Sequence, residues 1–216
     1  MNNLKRKWST GSPGPKFVDQ KPRVALAIFN PQFDLCHSKG KSFISGADDD
    51  MKNLASFIAS NSACISKIFI SLDNYKMWSY PSDEYHSCLT GSFGASIVPT
   101  IETAVYEKHC KKNAVDPFVI QRFANDWNQR NETSSSKAFV NFLKDYDEIL
   151  IAGEALNFQI LSFLEFWNQK FGLSNVLLLS DCSSEVVNEQ YEVRKQRLNS
   201  FVQNGLTVTS TKEYKF

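Results

Sequence analysis

No apolar run in this chain is long enough to cross a bilayer, which takes roughly 20 consecutive residues. The longest stretches, such as VALAIF at 24–29, are far shorter. No membrane partner is therefore expected. The N-terminal MNNLKRKWSTGSPGPK lacks the apolar core of a secretory signal. Charge of one sign is not in excess either. A net charge of +1 gives no bulk attraction to nucleic acid or to anionic membrane. Paired cysteines are also missing: Cys36, Cys64, Cys88, Cys110 and Cys182 form no CxxC motif. An odd count at irregular spacing fits reduced thiols, so a cytoplasmic, reducing location is expected. The Asn131–Glu132–Thr133 sequon carries no weight in such a compartment. There is no internal repeat.

What is present suits one globular domain. The 216 residues are 42% hydrophobic and 22% charged, enough for a real core. Residues 1–21 are rich in Ser, Gly, Pro and basic side chains and carry no apolar periodicity, so they are expected to be a disordered basic tail. Lys5, Arg6 and Lys7 could form a localisation signal or a weak anion-binding arm, with a solvated tail as the simpler reading. Residues 22–216 form the expected domain.

Within that domain, VALAIF (24–29), KIFISL (67–72), EILIAG (148–153) and NVLLLS (175–180) are continuous apolar runs of the kind buried on both faces. GLTVTS (205–210) is a weaker fifth, and FVIQ (118–121) another candidate. Between them, 47–61, 135–144, 155–171 and 185–203 read as helices, the last carrying Val186, Val187, Val193 and Leu198. Strands alternating with helices predict a three-layer α/β/α domain with a central, mostly parallel, Rossmann-like sheet. Ligands gather at the carboxyl ends of such strands. Four loops matter on that ground: 30–36, 73–75, 121–125 and 153–159.

Taken in order, those loops resemble the isochorismatase-like and nicotinamidase-related cysteine hydrolases. AIFNPQFDLC resembles the family's DPQNDFC opening, and FISLDNY its second strand, which ends in Asp followed by His. YHSCLTGSFGASIVPTIETAV resembles its His-containing segment, and DPFVIQRFAND its F-x-I-K-G strand. ILIAGEALNFQI resembles the nucleophile loop, and NVLLLSDCSSEV the strand that follows. The resemblance covers roughly residues 23–210. It implies the isochorismatase-like fold, with a non-proline cis bond near Gly153–Ala155.

It also implies a mechanism. A Cys thiolate attacks an amide carbonyl, an Asp moves the proton, a Lys positions both, and backbone amides form the oxyanion hole. In this chain the Asp position is Asn30, the Lys position Gln121 and the Cys position Gln159. None of the three can do its part, since an amide is no general base near neutral pH and offers no thiolate. The family's metal site is depleted as well. Asp73 and His86 match ligands, but Tyr75 stands where a second His is usual, leaving two ligands against the three or four of a tight site. Isochorismatases proper dispense with the Cys but keep the Asp, so Asn30 argues against that chemistry too.

Several residues invite a sharper reading. Asp34 could be a substitute acid, although the resemblance implies a turn-capping role. Cys36 beside His37 could be a dyad, but sequence neighbours on an extended loop point apart. Cys88, two residues after His86, could join Asp73 in a three-ligand zinc site, or be a buried small residue. Glu154 could be a catalytic carboxylate, though the resemblance implies a structural one. His109 reads as a surface residue. Phe158, Phe163, Phe166 and Trp167 follow helical spacing, as core or dimer interface. Trp78 and Tyr80 could border the pocket.

Two readings stand. In one, the chain is a non-catalytic homologue acting as a binding, assembly or structural module, as a homo-oligomer or in a larger assembly. Its pocket of Asn30, Asp73, Tyr75, His86, Gln121, Glu154 and Gln159 could hold a small planar ligand, with no cofactor. In the other, it is a hydrolase of small nicotinamide-like amides with altered chemistry. That chemistry would use zinc or another divalent metal at Asp73 and His86, or Cys36 or Cys88 as a displaced nucleophile. Nucleic-acid binding through residues 1–21 has only local charge behind it.

Overall fold

The computed structural model describes residues 21–76, 87–110, 120–123, 134–187 and 191–216, excluding the side chains at 108–109, 120–123, 134–138, 191 and 194. The tail at 1–20, with its basic cluster, and Trp78, Tyr80 and His86 lie outside the described residues, as does the side chain of His109.

The apolar runs form a sheet. Strands β1 (Val24–Phe29), β2 (Ile65–Asp73), β3 (Ile120–Phe123), β4 (Glu148–Gly153), β5 (Val176–Leu179) and β6 (Thr207–Thr209) lie in the order β3-β2-β1-β4-β5-β6. Every neighbouring pair is parallel. All six residues of β1 are buried, as a strand covered on both faces requires.

Alternate residues of β1 feed two separate cores. Val24, Leu26 and Ile28 pack with Met51, Leu54 and Ile58 of α2 (Ala47–Asn61) and with Ile101 of α3 (Pro99–Thr103). Ala25, Ala27 and Phe29 pack with α4 (Ser134–Leu143), α5 (Leu161–Phe171) and α6 (Tyr191–Gln203). On that second face the rings of Phe29, Phe139, Phe163 and Trp167 stack in a chain of edge and tilted contacts, with centroids 5.0–5.9 Å apart. The molecule is thus a three-layer α/β/α domain with a parallel central sheet, as the sequence predicts. Among the described residues, no helix is long and apolar enough to cross a membrane.

Two expected helices begin later than their patterns suggest. The stretch from Leu156 to Ile160 is a π-helical turn that leads into α5. The helix expected over 185–203 is described as helical only from Tyr191. Residues 183–187 are non-helical instead, because Asn157 imitates a neighbouring strand. Its Nδ2 donates to the Val186 carbonyl and its Oδ1 accepts from the Val186 N–H, both at 3.0 Å. Val186 and Val187 therefore do not lie on a helix face, and Val187 is 87% exposed.

Candidate functional site

Strand order reverses between β1 and β4, so the connections leaving these two strands diverge and leave a crevice at their carboxyl ends. Gly153 ends β4 with φ 112°, where a Cβ would lie 2.0 Å from the Phe29 carbonyl oxygen. Only glycine permits that approach. Asn30, the first residue beyond β1, is left-handed at φ 47°, a region that asparagine enters more readily than most residues. Its N–H donates to Ser71 and its carbonyl accepts from Gln32, so this bend is held from both sides.

Gln32 builds the next layer. It is fully buried, and its Nε2 donates to the carbonyls of Asp73 (2.9 Å) and Ala95 (3.1 Å). Its Oε1 accepts from the Asp73 N–H at 2.7 Å. One amide thus ties the ends of β1 and β2 to the 92–97 turn. Asp34 does the same from α1 (Phe33–Cys36), accepting from the backbone N–H groups of Lys41 and Cys88. A Cβ on Gly94 would strike this carboxylate at 2.0 Å. Asp34 is therefore engaged in linking loops.

These ties bring Asn30, Asp73 and Tyr75 to one wall of a cavity of about 660 Å³. Ala155, Phe158 and Gln159 form a second wall, and Glu185 to Val187 and the 41–45 loop complete it. Asp73 is 7% exposed, and burial pushes its carboxyl up to about 7. Hydrogen bonds from Asn30 and Tyr75 pull in the other direction and offset this only in part. Among the described residues, Asn30 Oδ1 and Asp73 Oδ1 are buried without a hydrogen-bond partner. Such groups are rare in native interiors and call for a partner.

The turn after β4 contains the cis bond, between Glu154 and Ala155. Glu154 points away from the cavity. It is fully buried and accepts from the Ser184 N–H, and its carboxyl is pushed up to about 10 by burial and by Asp50. Asp50 accepts from the Ser184 hydroxyl and from Glu154. At neutral pH this is a carboxylic acid donating to a carboxylate, which fastens the turn and the 183–187 segment onto α2.

Asn30, Asp73, Tyr75 and Gln159 are therefore brought together at one cavity, and Glu154 stands behind the turn rather than in it. Gln121 is paired in register with Ser71 at the adjacent strand, its side chain outside the description. Phe158 departs from its expected place. The π-helical turn separates it from the core residues Phe163 and Trp167, and it lines the cavity at 50% exposure. Lys41 and Phe43 were not foreseen because the loop that carries them has no periodic pattern, and Glu185 because its segment has the pattern of a helix.

Cys36 and Cys88, the two candidates for a displaced nucleophile, are poorly placed for attack. Cys36 is buried, its Sγ donates to the Asn30 carbonyl, and burial together with Glu154 pushes its thiol well up. His37 stacks on Phe33 at 4.3 Å, so the two neighbours do not form a dyad. Cys88 is buried, with its thiol also pushed up by burial. All five cysteines are free. No group of three His, Cys, Asp or Glu side chains suited to a metal occurs among the described residues. Among the described residues, Asp73 is without the further ligands that a zinc donor set needs.

No protein-family model matches the chain, and no curated protein does. Solved structures do match in fold. One is a pyrazinamidase of Pyrococcus horikoshii in complex with zinc, at 15% identity and TM-score 0.62 over 88% of this chain and 99% of that one. A second is an isochorismatase-like hydrolase from Alkaliphilus metalliredigens, at 12% identity and TM-score 0.65 over 89% and 96%. A third is a nicotinamidase from Bacillus subtilis, at 12% identity and TM-score 0.66 over 86% and 99%. The chain has the isochorismatase-like fold.

Proposed function

We propose that this chain is a non-catalytic relative of the isochorismatase-like hydrolases, and that it uses the crevice of that fold to bind a small planar ligand. One observation carries the reading. Asn30 and Gln159, at the positions that the resemblance gives to the proton-transferring acid and the nucleophile, line the same cavity as amides. Gln121 stands at the lysine position. An amide can donate and accept hydrogen bonds there but can neither attack nor act as base. The role is that of a binding or assembly module, acting as an oligomer or within a larger particle. Its free thiols fit a cytoplasmic setting. Asp73 and His86 remain the positions for a metal, and no metal step enters this reading.

The experiment compares purified wild type with Asn30→Asp/Gln121→Lys/Gln159→Cys on nicotinamide, pyrazinamide and small aliphatic amides. A silent wild type beside a variant that turns over supports the proposal. Turnover by wild type sinks it.

A second reading has one observation in its favour. Asp73, buried in the cavity with its carboxyl pushed up to about 7, has the proton affinity of a general base. Were the protein a hydrolase, Asp73 would activate water against an amide. Turnover by wild type that Asp73→Asn abolishes would establish it.

A further inference from the structure

We infer that Asn157 sets the width of the cavity, and with it the thickness of ligand that the cavity accepts. The inference rests on the reading of the cavity as a ligand pocket and names what determines its specificity. Asn157 is buried and does not line the cavity itself. It stands between two walls that do. It is followed directly by Phe158, a half-exposed residue of one wall. Its own amide holds Val186, a residue of the facing 185–187 wall, by both backbone groups at 3.0 Å. The bond pair takes one donor and one acceptor, which an asparagine carries on a single short side chain.

The 185–187 wall hangs from the turn after β4. At its inner end Ser184 is tied three ways. Its N–H donates to Glu154, its hydroxyl to Asp50, and its carbonyl accepts from the Leu156 N–H at 2.9 Å. Two residues on, Val186 directs its N–H and C=O to the same side, onto Asn157. Beyond it Val187 makes no hydrogen bond among the described residues and is almost fully exposed. Asn157 is thus the outer fastening of the wall, and it fixes Val186 relative to the residue next to Phe158. An occupant between these walls meets a gap that does not yield. Such apolar gaps separate ligands that differ by the bulk of one methylene by about tenfold or more. A wall released from Asn157 would give way instead.

Titration calorimetry on the full chain tests this with benzamide and cyclohexanecarboxamide. The two share a head and a six-membered ring and differ in thickness. Wild type should favour the flat benzamide by about tenfold or more. In Asn157→Ala and in Asn157→Asp that preference should shrink to less than about threefold. Aspartate is the stricter variant, because it keeps the shape and the acceptor but sets an oxygen against the Val186 carbonyl. Leu206→Ala, a core change at the amino end of β6, should cost more stability yet keep the wild-type preference. A preference that survives in either Asn157 variant overturns the inference, and so does one that Leu206→Ala narrows as much. Equal binding of the two probes by wild type, or tighter binding of cyclohexanecarboxamide, overturns it and leaves the pocket reading standing. Binding of neither probe overturns both.

Discussion

Replacing Glu154 by glutamine should make the protein more stable at neutral pH and flatten its pH dependence. In the folded chain Glu154 is fully buried and holds its proton up to about pH 10. In the unfolded chain it ionises near pH 4.5, the ordinary value for a glutamate. Between those two values the native state binds one proton more than the unfolded state. Stability must then fall as pH rises, by about 1.4 kcal/mol per unit for this one group. The loss begins near pH 4.5 and ends near pH 10, so at pH 7.5 it has reached about 4 kcal/mol. Glutamine keeps an N–H to donate to Asp50 and an oxygen to accept from Ser184, and it has no proton to lose. Urea denaturation of wild type and Glu154→Gln at pH 5, 6, 7 and 8 gives the difference directly. The variant's advantage should grow by about 1.4 kcal/mol with each unit. Parallel curves would refute the reasoning, because they would mean that Glu154 is ionised in the folded protein and that Asp50 carries no partner proton.

Three further outcomes follow from the loop scaffold. Gln32→Ala removes a side chain that serves two carbonyls and one N–H in a buried setting, so a loss of about 3 kcal/mol is expected by chemical denaturation. Gly94→Ala forces the Asp34 carboxylate off the Lys41 and Cys88 amides, at a cost of about 2–4 kcal/mol, and should be far from additive with Asp34→Ala. Asn157→Ala should cost about 1–2 kcal/mol and raise hydrogen exchange at the Val186 amide, with little change in the sheet.

The sheet was legible because parallel strands covered on both faces leave an unbroken apolar signature, and VALAIF and EILIAG became β1 and β4 at the expected residues. Asn30, Asp73, Tyr75 and Gln159 could be named in advance because Asn30 follows β1, Asp73 ends β2 with Tyr75 two residues on, and Gln159 lies in the turn after β4. What depends on side-chain partnership was not legible. Nothing local marks Asn157 as the residue that keeps 183–187 out of a helix, and the valines there have the spacing of a helical stripe. Phe158 has the same spacing as Phe163 and Trp167, and a π-helical turn alone sets it apart. The pairing of Glu154 with Asp50 joins a strand end to a helix across a long stretch of chain, which no spacing rule reports.

The reversal of strand order between β1 and β4 has a consequence for how such a protein can change. The crevice there is a product of connectivity: it exists because two chain segments leave the sheet in opposite directions, whatever residues they carry. Its floor is fixed by backbone contacts, down to the bare Cα of Gly153 against Phe29. The side chains at positions 30 and 159 can therefore change without collapse of the hollow they face. A fold of this kind keeps a shaped recess through such exchanges, and the side chains on the surrounding loops decide which molecule it suits.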